Sequence, residues 1–327
     1  MNSESGGGAA AAGGGRTAGL LALTITSVLW GTTGTAATFA PEVSPLAIGA
    51  AALGIGGLLQ AAIAVPALRR HRRALRGRAR LVALGALAVA LYPLAFYSSM
   101  HIAGVAIGSV ASLASAPLAS GVLEKIVDGR RLGRWWQLAA ALGVLGSVML
   151  CLSTARGELG SPGRTLLGVL LGLVAGSTYA LFSWACQRLM RAGIERAASM
   201  GAVFGLGGLL LMPVLAVTGG PILHSGGNLA VAAYMALIPM FLGYVLFGRG
   251  LATVPASTAT TVTLTEPAVA TLLAVVVVGE RLGPLGWAGL LVLAAVLALL
   301  ALAPPAAAPR PVGVGASGPA VARCRRY

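Results

Sequence analysis

The sequence predicts an all-α integral membrane protein. Hydrophobic residues make up 57% of the 327-residue chain, charged residues only 9%, and the mean hydropathy is +0.89. The apolar residues fall in blocks of about 18 to 25, the length that a helix needs to cross the hydrocarbon layer. A soluble chain of this size could not bury so much apolar surface, so lipid is the expected solvent.

Polar breaks divide the apolar sequence into ten predicted transmembrane helices. They are predicted at 17–39, 45–66, 81–101, 105–124, 135–154, 165–187, 198–217, 228–248, 255–278 and 284–303.

The basic residues predict the orientation of these spans. If the amino terminus is cytoplasmic, only Arg156, Arg164 and Arg281 of the 23 Lys and Arg fall on the outer side. This imbalance follows the positive-inside rule and predicts a multi-pass protein of the cell membrane with both termini in the cytoplasm. The arginine-rich loop at 69–80 is expected to lie against anionic lipid head groups, which accounts for much of the formal charge of +15.

A weak internal repeat divides the chain into two halves. Residues 110–133 resemble residues 261–283 at an offset of 150 positions. The matching pairs are Pro117 with Pro267, Gly129 with Gly279, Arg131 with Arg281, Leu132 with Leu282, and Gly133 with Gly283. Because each half holds five spans, an odd number, the second half is expected to be inverted in the membrane, a plan typical of secondary transporters.

The predicted domain organisation follows from this repeat. Two five-helix repeats occupy 17–154 and 165–303, joined by an extracytoplasmic linker at 155–164. The low-complexity tail at 1–16 and the cytoplasmic tail at 304–327 are expected to be disordered.

Several short motifs resemble the drug/metabolite transporter superfamily, in particular its ten-span transporters with two EamA domains. They are Trp30-Gly31 in span one, Tyr179-Ala180 in span six, Arg249-Gly250-Leu251-Ala252, and Gly279-Glu280-Arg281-Leu282 after span nine. The first half departs from the pattern, with Gly129-Arg130-Arg131-Leu132 at the position of the last motif. The resemblance implies a transporter, usually an exporter, with a central cavity lined by spans 1, 3, 4, 6, 8 and 9.

Glu266 is the strongest single candidate for a substrate or coupling residue. It is predicted to lie well inside a span, where an ionisable group is costly and commonly marks a transport pathway. It is interpreted as a proton carrier or a partner for a cationic substrate group, and the alternative is a protonated side chain with a structural role. Pro117 and Pro267 remove backbone hydrogen bonds in mid-span and are gating or kink candidates, with a static kink as the alternative.

Aromatic and hydroxyl side chains complete the set of candidate site residues. These are Trp30, Tyr97, Tyr179, Tyr244, Ser112 and Thr261. The aromatic rings are candidates for lining a cavity, and the hydroxyls for binding a substrate. Close helix packing is the competing interpretation for each of them.

Other functional classes lack a matching pattern in the sequence. The scattered histidines and cysteines predict no metal site, no cofactor and no catalytic constellation. The arginines are not interleaved with aromatics as in a nucleic-acid interface. The predicted function is therefore secondary transport of a small molecule by alternating access, with protons as a candidate coupling ion. An exporter of amino acids, related metabolites or drugs is favoured over an uptake carrier, and a membrane-embedded enzyme is the weakest alternative.

Overall fold

The computed structural model describes residues 6–154, 162–273, 275–276 and 283–302, and all regular structure among them is helical. The α-helices are α1 (Gly6–Ala37), α2 (Pro45–Arg70), α3 (Arg72–Arg76), α4 (Ala79–Ala103), α5 (Val105–Ile126), α6 (Arg134–Thr154), α7 (Pro162–Arg191), α8 (Arg196–Thr218), α9 (Gly226–Met235), α10 (Gly243–Leu251), α11 (Ala256–Val262), α12 (Glu266–Leu273) and α13 (Pro284–Leu302). A π-helical segment, Ala236–Leu242, joins α9 to α10, and a 3₁₀ turn, Thr263–Thr265, joins α11 to α12.

Helices occupy each of the ten predicted spans. Eight helical segments of the described chain are long and apolar enough to cross a membrane, one of them the composite segment Gly226–Leu251. Helix α6 and the interrupted segment at 256–273 are not among the eight. The all-helical membrane fold is therefore confirmed, and the count of ten crossings stays a prediction.

The structure describes only part of the predicted tails and linker. The tail at 1–16 stays a prediction, and α1 begins at Gly6 within it. Alanines at 9–12 favour helix and extend the first span towards the amino terminus. The C-terminal tail, most of the linker, and Gly279-Glu280-Arg281-Leu282 lie outside the described residues.

Local sequence explains where several helices begin and end. Ser44 caps α2 by accepting a hydrogen bond from the Ala47 N–H at 3.2 Å, and Pro45 follows at the first helical position. Gly104 separates α4 from α5 with φ of 88°, a conformation that only glycine adopts readily.

The helix packing pairs equivalent spans of the two halves. Helix α2 packs on α8, and α6 packs on α13, which are the second and fifth spans of each half. Two further contacts between the halves also have equivalents: α4 on α7 corresponds to α1 on α10, and α5 on α7 corresponds to α1 on α12. The two halves therefore contact each other through equivalent helices. Helix α2 packs on α8 and α6 on α13, while α1 and α7 each pack on helices of the other half.

Small residues permit the close approach of α2 and α8. A Cβ on Gly57 of α2 would lie 2.3 Å from the Phe204 carbonyl oxygen, and one on Gly208 of α8 would lie 2.6 Å from the Gly54 carbonyl oxygen. Interfaces between membrane helices are enriched in small residues because dispersion contacts, rather than expulsion of water, hold them together.

Candidate functional site

A narrow cavity of ≈ 20 Å³ lies between the two halves. Its walls come from α1, α2 and α4 of the first half, and from the π-helical segment, α10 and α12 of the second. The lining residues are Trp30, Thr33, Gly49, Ala52, Leu53, Tyr92, Pro93, Phe96, Tyr97, Met240, Tyr244 and Glu266. The space holds about one water molecule, so a metabolite-sized ligand enters only after the surrounding helices move apart.

Among the described residues, Glu266 is the only carboxylate that lines this cavity. Its side chain is 8% exposed, and no hydrogen bond or ion pair joins it to another described residue. Glu124 is the other buried charged residue in the described part of the chain, at 2% exposed. Its carboxylate oxygens accept bonds from the Ser257 N–H at 3.1 Å and the Ser257 hydroxyl at 3.0 Å. Of the two buried acids, only Glu266 lacks such a partner.

Pro267 explains why the helix is interrupted beside Glu266. Proline has no N–H to donate to the Thr263 carbonyl four residues earlier. The Glu266 N–H bonds to that carbonyl instead, which gives the tighter 3₁₀ geometry of Thr263–Thr265. Pro267 then lies in the first turn of α12, where a missing N–H is tolerated.

Trp30 joins the first half to the interrupted eighth span. Its indole N–H donates to the Pro239 carbonyl at 2.9 Å, within the π-helical segment Ala236–Leu242. Gly243 allows this contact, because a Cβ there would lie 2.8 Å from the Trp30 ring nitrogen. Gly31, the next residue of α1, likewise lets this helix approach the Glu266 carbonyl, 3.1 Å from where its Cβ would lie.

Aromatic rings form most of the remaining wall. Trp30 and Tyr244 lie 4.8 Å apart between ring centroids, and Phe96 lies 5.6 Å from Tyr92 and 5.3 Å from Tyr97. Within the described structure the hydroxyls of the three lining tyrosines, Tyr92, Tyr97 and Tyr244, make no hydrogen bond. Thr33 differs, since its hydroxyl donates to the Trp30 carbonyl at 2.7 Å.

A polar network closes one end of the bundle, where α5 and α7 both end. We call it the basic-end network, after the arginines nearby. Asp128, which follows α5, accepts bonds from the Trp184 indole N–H at 2.9 Å, from Arg188 at 2.6 Å and from Arg191 at 3.4 Å. The Arg188 guanidinium also lies 5.0 Å from the Trp184 ring centroid. The network therefore joins the first half to the second.

Gln187 extends the basic-end network to the turn before α11. Its side-chain N–H groups donate to the carbonyls of Leu251, at 3.1 Å, and Val254, and its carbonyl accepts the Ala256 N–H at 3.2 Å. Arg191 donates to the same carbonyl oxygen. The bonds between Glu124 and Ser257 join α5 to the start of α11 directly above this turn. Three chain segments are therefore held together at this end.

Comparison with known proteins identifies the family. The sequence profile of the EamA-like transporter family matches the chain twice, over residues 17–152 and 166–302. The chain belongs to the EamA-like transporter family. The two matches also place one copy of the family domain in each half of this EamA transporter.

Individual relatives of the EamA transporter agree with this assignment. Uncharacterized transporter YwfM of Bacillus subtilis (strain 168) is 33% identical over 285 residues, which are 87% of this chain and 94% of that protein. An uncharacterized transporter of Clostridium kluyveri is 32% identical over 123 residues, 36% of this chain and 39% of that protein. A protein of known crystal structure is 19% identical to this chain and shares its fold. The TM-score is 0.70, and the match covers 87% of this chain and 96% of that chain.

The structure of the EamA transporter gathers four of the predicted site residues around the cavity, and the others lie outside its lining. Trp30, Tyr97, Tyr244 and Glu266 form part of the wall. Tyr179 lies in the core behind it, 6.0 Å from Trp30 between ring centroids, and its hydroxyl shares a 2.9 Å bond with Thr263.

The remaining predicted residues of the EamA transporter lie within helices and outside the cavity lining. The Ser112 hydroxyl donates to the Gly108 carbonyl at 2.8 Å, and the Thr261 hydroxyl to the Ser257 carbonyl at 2.7 Å. Pro117 lies inside the continuous helix α5, and Pro267 begins α12. Spans 4 and 6, which the family resemblance implied as cavity walls, do not line the cavity in this conformation, whereas span 2 does.

Several residues of the basic-end network carry no signal of that role in the sequence of the EamA transporter. Glu124 was overlooked because it falls at the predicted end of span 4, where a charge signals topology rather than burial. The partners of Asp128 lie on α7, far from it in the sequence. Gln187 stands at the predicted end of span 6, and a polar residue at such a position gives no signal of a tertiary role.

Proposed function

We propose that this transporter exports small molecules, amino acids or related metabolites or drugs, across the cell membrane by alternating access. The cavity between the two halves, with its buried and unpartnered Glu266, is the observation that carries the proposal. A ligand site between two repeats is the usual arrangement in secondary transporters.

The helix packing supports two inverted five-helix repeats. Equivalent spans of the two halves pack on each other, as α2 does with α8. The contacts of α7 with α4 and α5 also correspond to those of α1 with α10 and α12. With five spans in each half, the second half runs through the membrane in the opposite direction. Ten crossings then place both termini on the same side.

The arginine distribution supports a cytoplasmic position for the basic end. The loop at 69–80, Arg188 and Arg191 all lie at this end of the bundle. The cavity lies towards the opposite end, because Leu53 is separated from the Arg70 end of α2 by about 25 Å of helix. The basic-end network then closes the cytoplasmic entrance in this conformation.

Alternating access requires the basic end to open in a second conformation. Separation of α5 from α7 and α11 breaks the bonds of Asp128 and Glu124 and connects the cavity with the cytoplasm. The short interruptions beside Pro239 and Pro267 lie on the two second-half segments that line the cavity, where bending requires few hydrogen bonds to change.

Proton coupling is assigned to Glu266. The Glu266 carboxylate has no ion-pair partner among the described residues, so binding of a proton or a cation neutralises its charge. Binding and release of a proton at this position links the proton gradient to the movement of the substrate. The same cavity and carboxylate also serve an uptake carrier, and the direction of the coupled flux decides between export and uptake.

A flux panel tests the proposal. Cells that express the protein are loaded with amino acids, related metabolites and drugs, and efflux is compared with cells that carry an empty vector. We expect faster efflux for at least one compound class, and slower efflux with Glu266→Gln at the same membrane abundance. Faster accumulation instead of efflux would identify an uptake carrier, and no change for any compound would contradict transport of these classes.

A further inference from the structure

We propose that the cavity selects a small monovalent organic cation, an ammonium with an aromatic or alkyl group, over zwitterions, neutral molecules and anions. This inference rests on the proposed function, since it names the substrate class of the same cavity. It depends on which lining groups have partners and which do not.

The charge of the wall favours a cation. In the part of the chain that the structure describes, Glu266 is the only charged residue of the cavity lining, and neither lysine, arginine nor histidine lines the wall. The comparison with Glu124 shows how this protein otherwise treats a buried acid, because Glu124 accepts two bonds from Ser257 and lies 4.0 Å from Arg130. A buried ionised carboxylate without such partners is strongly destabilised, and a bound cation supplies the missing charge.

The aromatic composition of the wall also favours a cation. Five aromatic side chains surround the space: Trp30, Tyr92, Phe96, Tyr97 and Tyr244. The face of an aromatic ring attracts a cation within about 6 Å, most strongly when water is excluded. Ammonium N–H groups also find acceptors in the three tyrosine hydroxyls, which have no partner among the described residues.

The wall disfavours ligands that carry a negative charge. A carboxylate on the ligand meets only tyrosine hydroxyls as donors in the lining, and it lies in the same small space as Glu266. An amino acid therefore gains its ammonium contact with Glu266 and loses the hydration of its own carboxylate without an ion pair in return. An amine with the same side chain has no such cost, so the cavity prefers the amine.

A matched set of ligands with one ring and a two-carbon chain tests this charge preference. Phenethylamine, phenylalanine, 2-phenylethanol and phenylacetate represent the cation, zwitterion, neutral molecule and anion. Binding to the purified full-length protein in lipid nanodiscs is measured by titration calorimetry at neutral pH. We expect phenethylamine to bind at least about tenfold more tightly than each of the other three.

Three variants test whether the charge preference depends on the Glu266 carboxylate. Glu266→Gln is expected to remove it, Glu266→Asp to retain it, and Glu42→Gln, at an exposed acid between α1 and α2, to leave it unchanged. Thermal melting of each variant shows that the protein is folded. Equal or tighter binding of any of the other three ligands, a preference that persists in Glu266→Gln, or no phenethylamine binding up to about 10 mM would overturn the proposal.

Flux measurements separate this inference from the proposed function. Phenethylamine that binds selectively but does not cross proteoliposome membranes would contradict transport of this class and leave the charge preference intact. Flux of phenylalanine or phenylacetate in preference to phenethylamine would overturn the charge preference while transport itself stands.

Discussion

Removal of the Asp128 carboxylate is expected to open the basic end of the transporter. Asp128→Ala deletes the acceptor for Trp184, Arg188 and Arg191. The Trp184 bond contributes about 1 kcal/mol, and each arginine contact about 0.5 kcal/mol because the arginine side chains are half exposed to solvent. If these bonds exist only in the closed state, their loss of about 2 kcal/mol increases the open population about 30-fold.

The native thiol of Cys186 reports this opening. Cys186 precedes Gln187 on α7 and is 0% exposed, so a maleimide reaches it only when the packing around this end loosens. In a background with Cys151→Ser and Cys324→Ser, the initial labelling rate in nanodiscs is expected to rise at least about fivefold with Asp128→Ala, as the population shift requires.

Glu195→Gln is the matched control for this experiment. Glu195 lies at the same end of the bundle, and its 3.2 Å pair with Arg70 is exposed on both sides. Such surface pairs contribute little, so the labelling rate should stay within about twofold of the wild type. Equal rates in Asp128→Ala and wild type, measured well below the melting temperature of both, would refute the role of the network in closing this end.

Two further predictions test the packing that forms the cavity. Trp30→Phe leaves the Pro239 carbonyl without its donor and should lower the free energy of unfolding in mixed micelles by about 1–3 kcal/mol, whereas Trp287→Phe, at a half-exposed tryptophan, should change it by less than about 0.5 kcal/mol; equal effects would contradict the assigned bond. Gly57→Ala places a Cβ against the Phe204 carbonyl and should lower the melting temperature through a loss of about 1–3 kcal/mol, while Gly34→Ala, which has open space around it, should raise stability by up to about 1 kcal/mol; a neutral Gly57→Ala would show that α2 and α8 do not pack this closely.

The sequence could predict the helices because their signals are local. Apolar blocks about 20 residues long and the arginines between them define the spans without reference to tertiary contacts. The spans at 45–66 and 81–101 differ from α2 and α4 by only a few residues at each end. The interruption before α12 was also signalled, since Pro267 cannot continue the hydrogen bonding of the preceding turn.

The partners of individual polar groups could not be predicted in this way. Asp128 and Arg188 are separated by 60 residues, and nothing in their neighbourhoods indicates that α5 and α7 end side by side. The sequence likewise gave equal weight to Tyr97 and Tyr179, but only Tyr97 lines the cavity. The packing between the two halves decides which face of a helix contacts the other half. A span that is apolar on all sides has no periodicity that would indicate this face.

Substitution of Glu266 tests the central proposal most directly. Wild-type protein and Glu266→Gln are reconstituted at equal amounts in proteoliposomes, and flux of a compound that the wild type moves is measured with and without a proton gradient. We predict that the gradient accelerates flux in the wild type and has no effect in Glu266→Gln, while the variant still inserts and melts as a folded protein. Unchanged coupling to the gradient in Glu266→Gln would contradict the assignment of this residue and of the cavity around it.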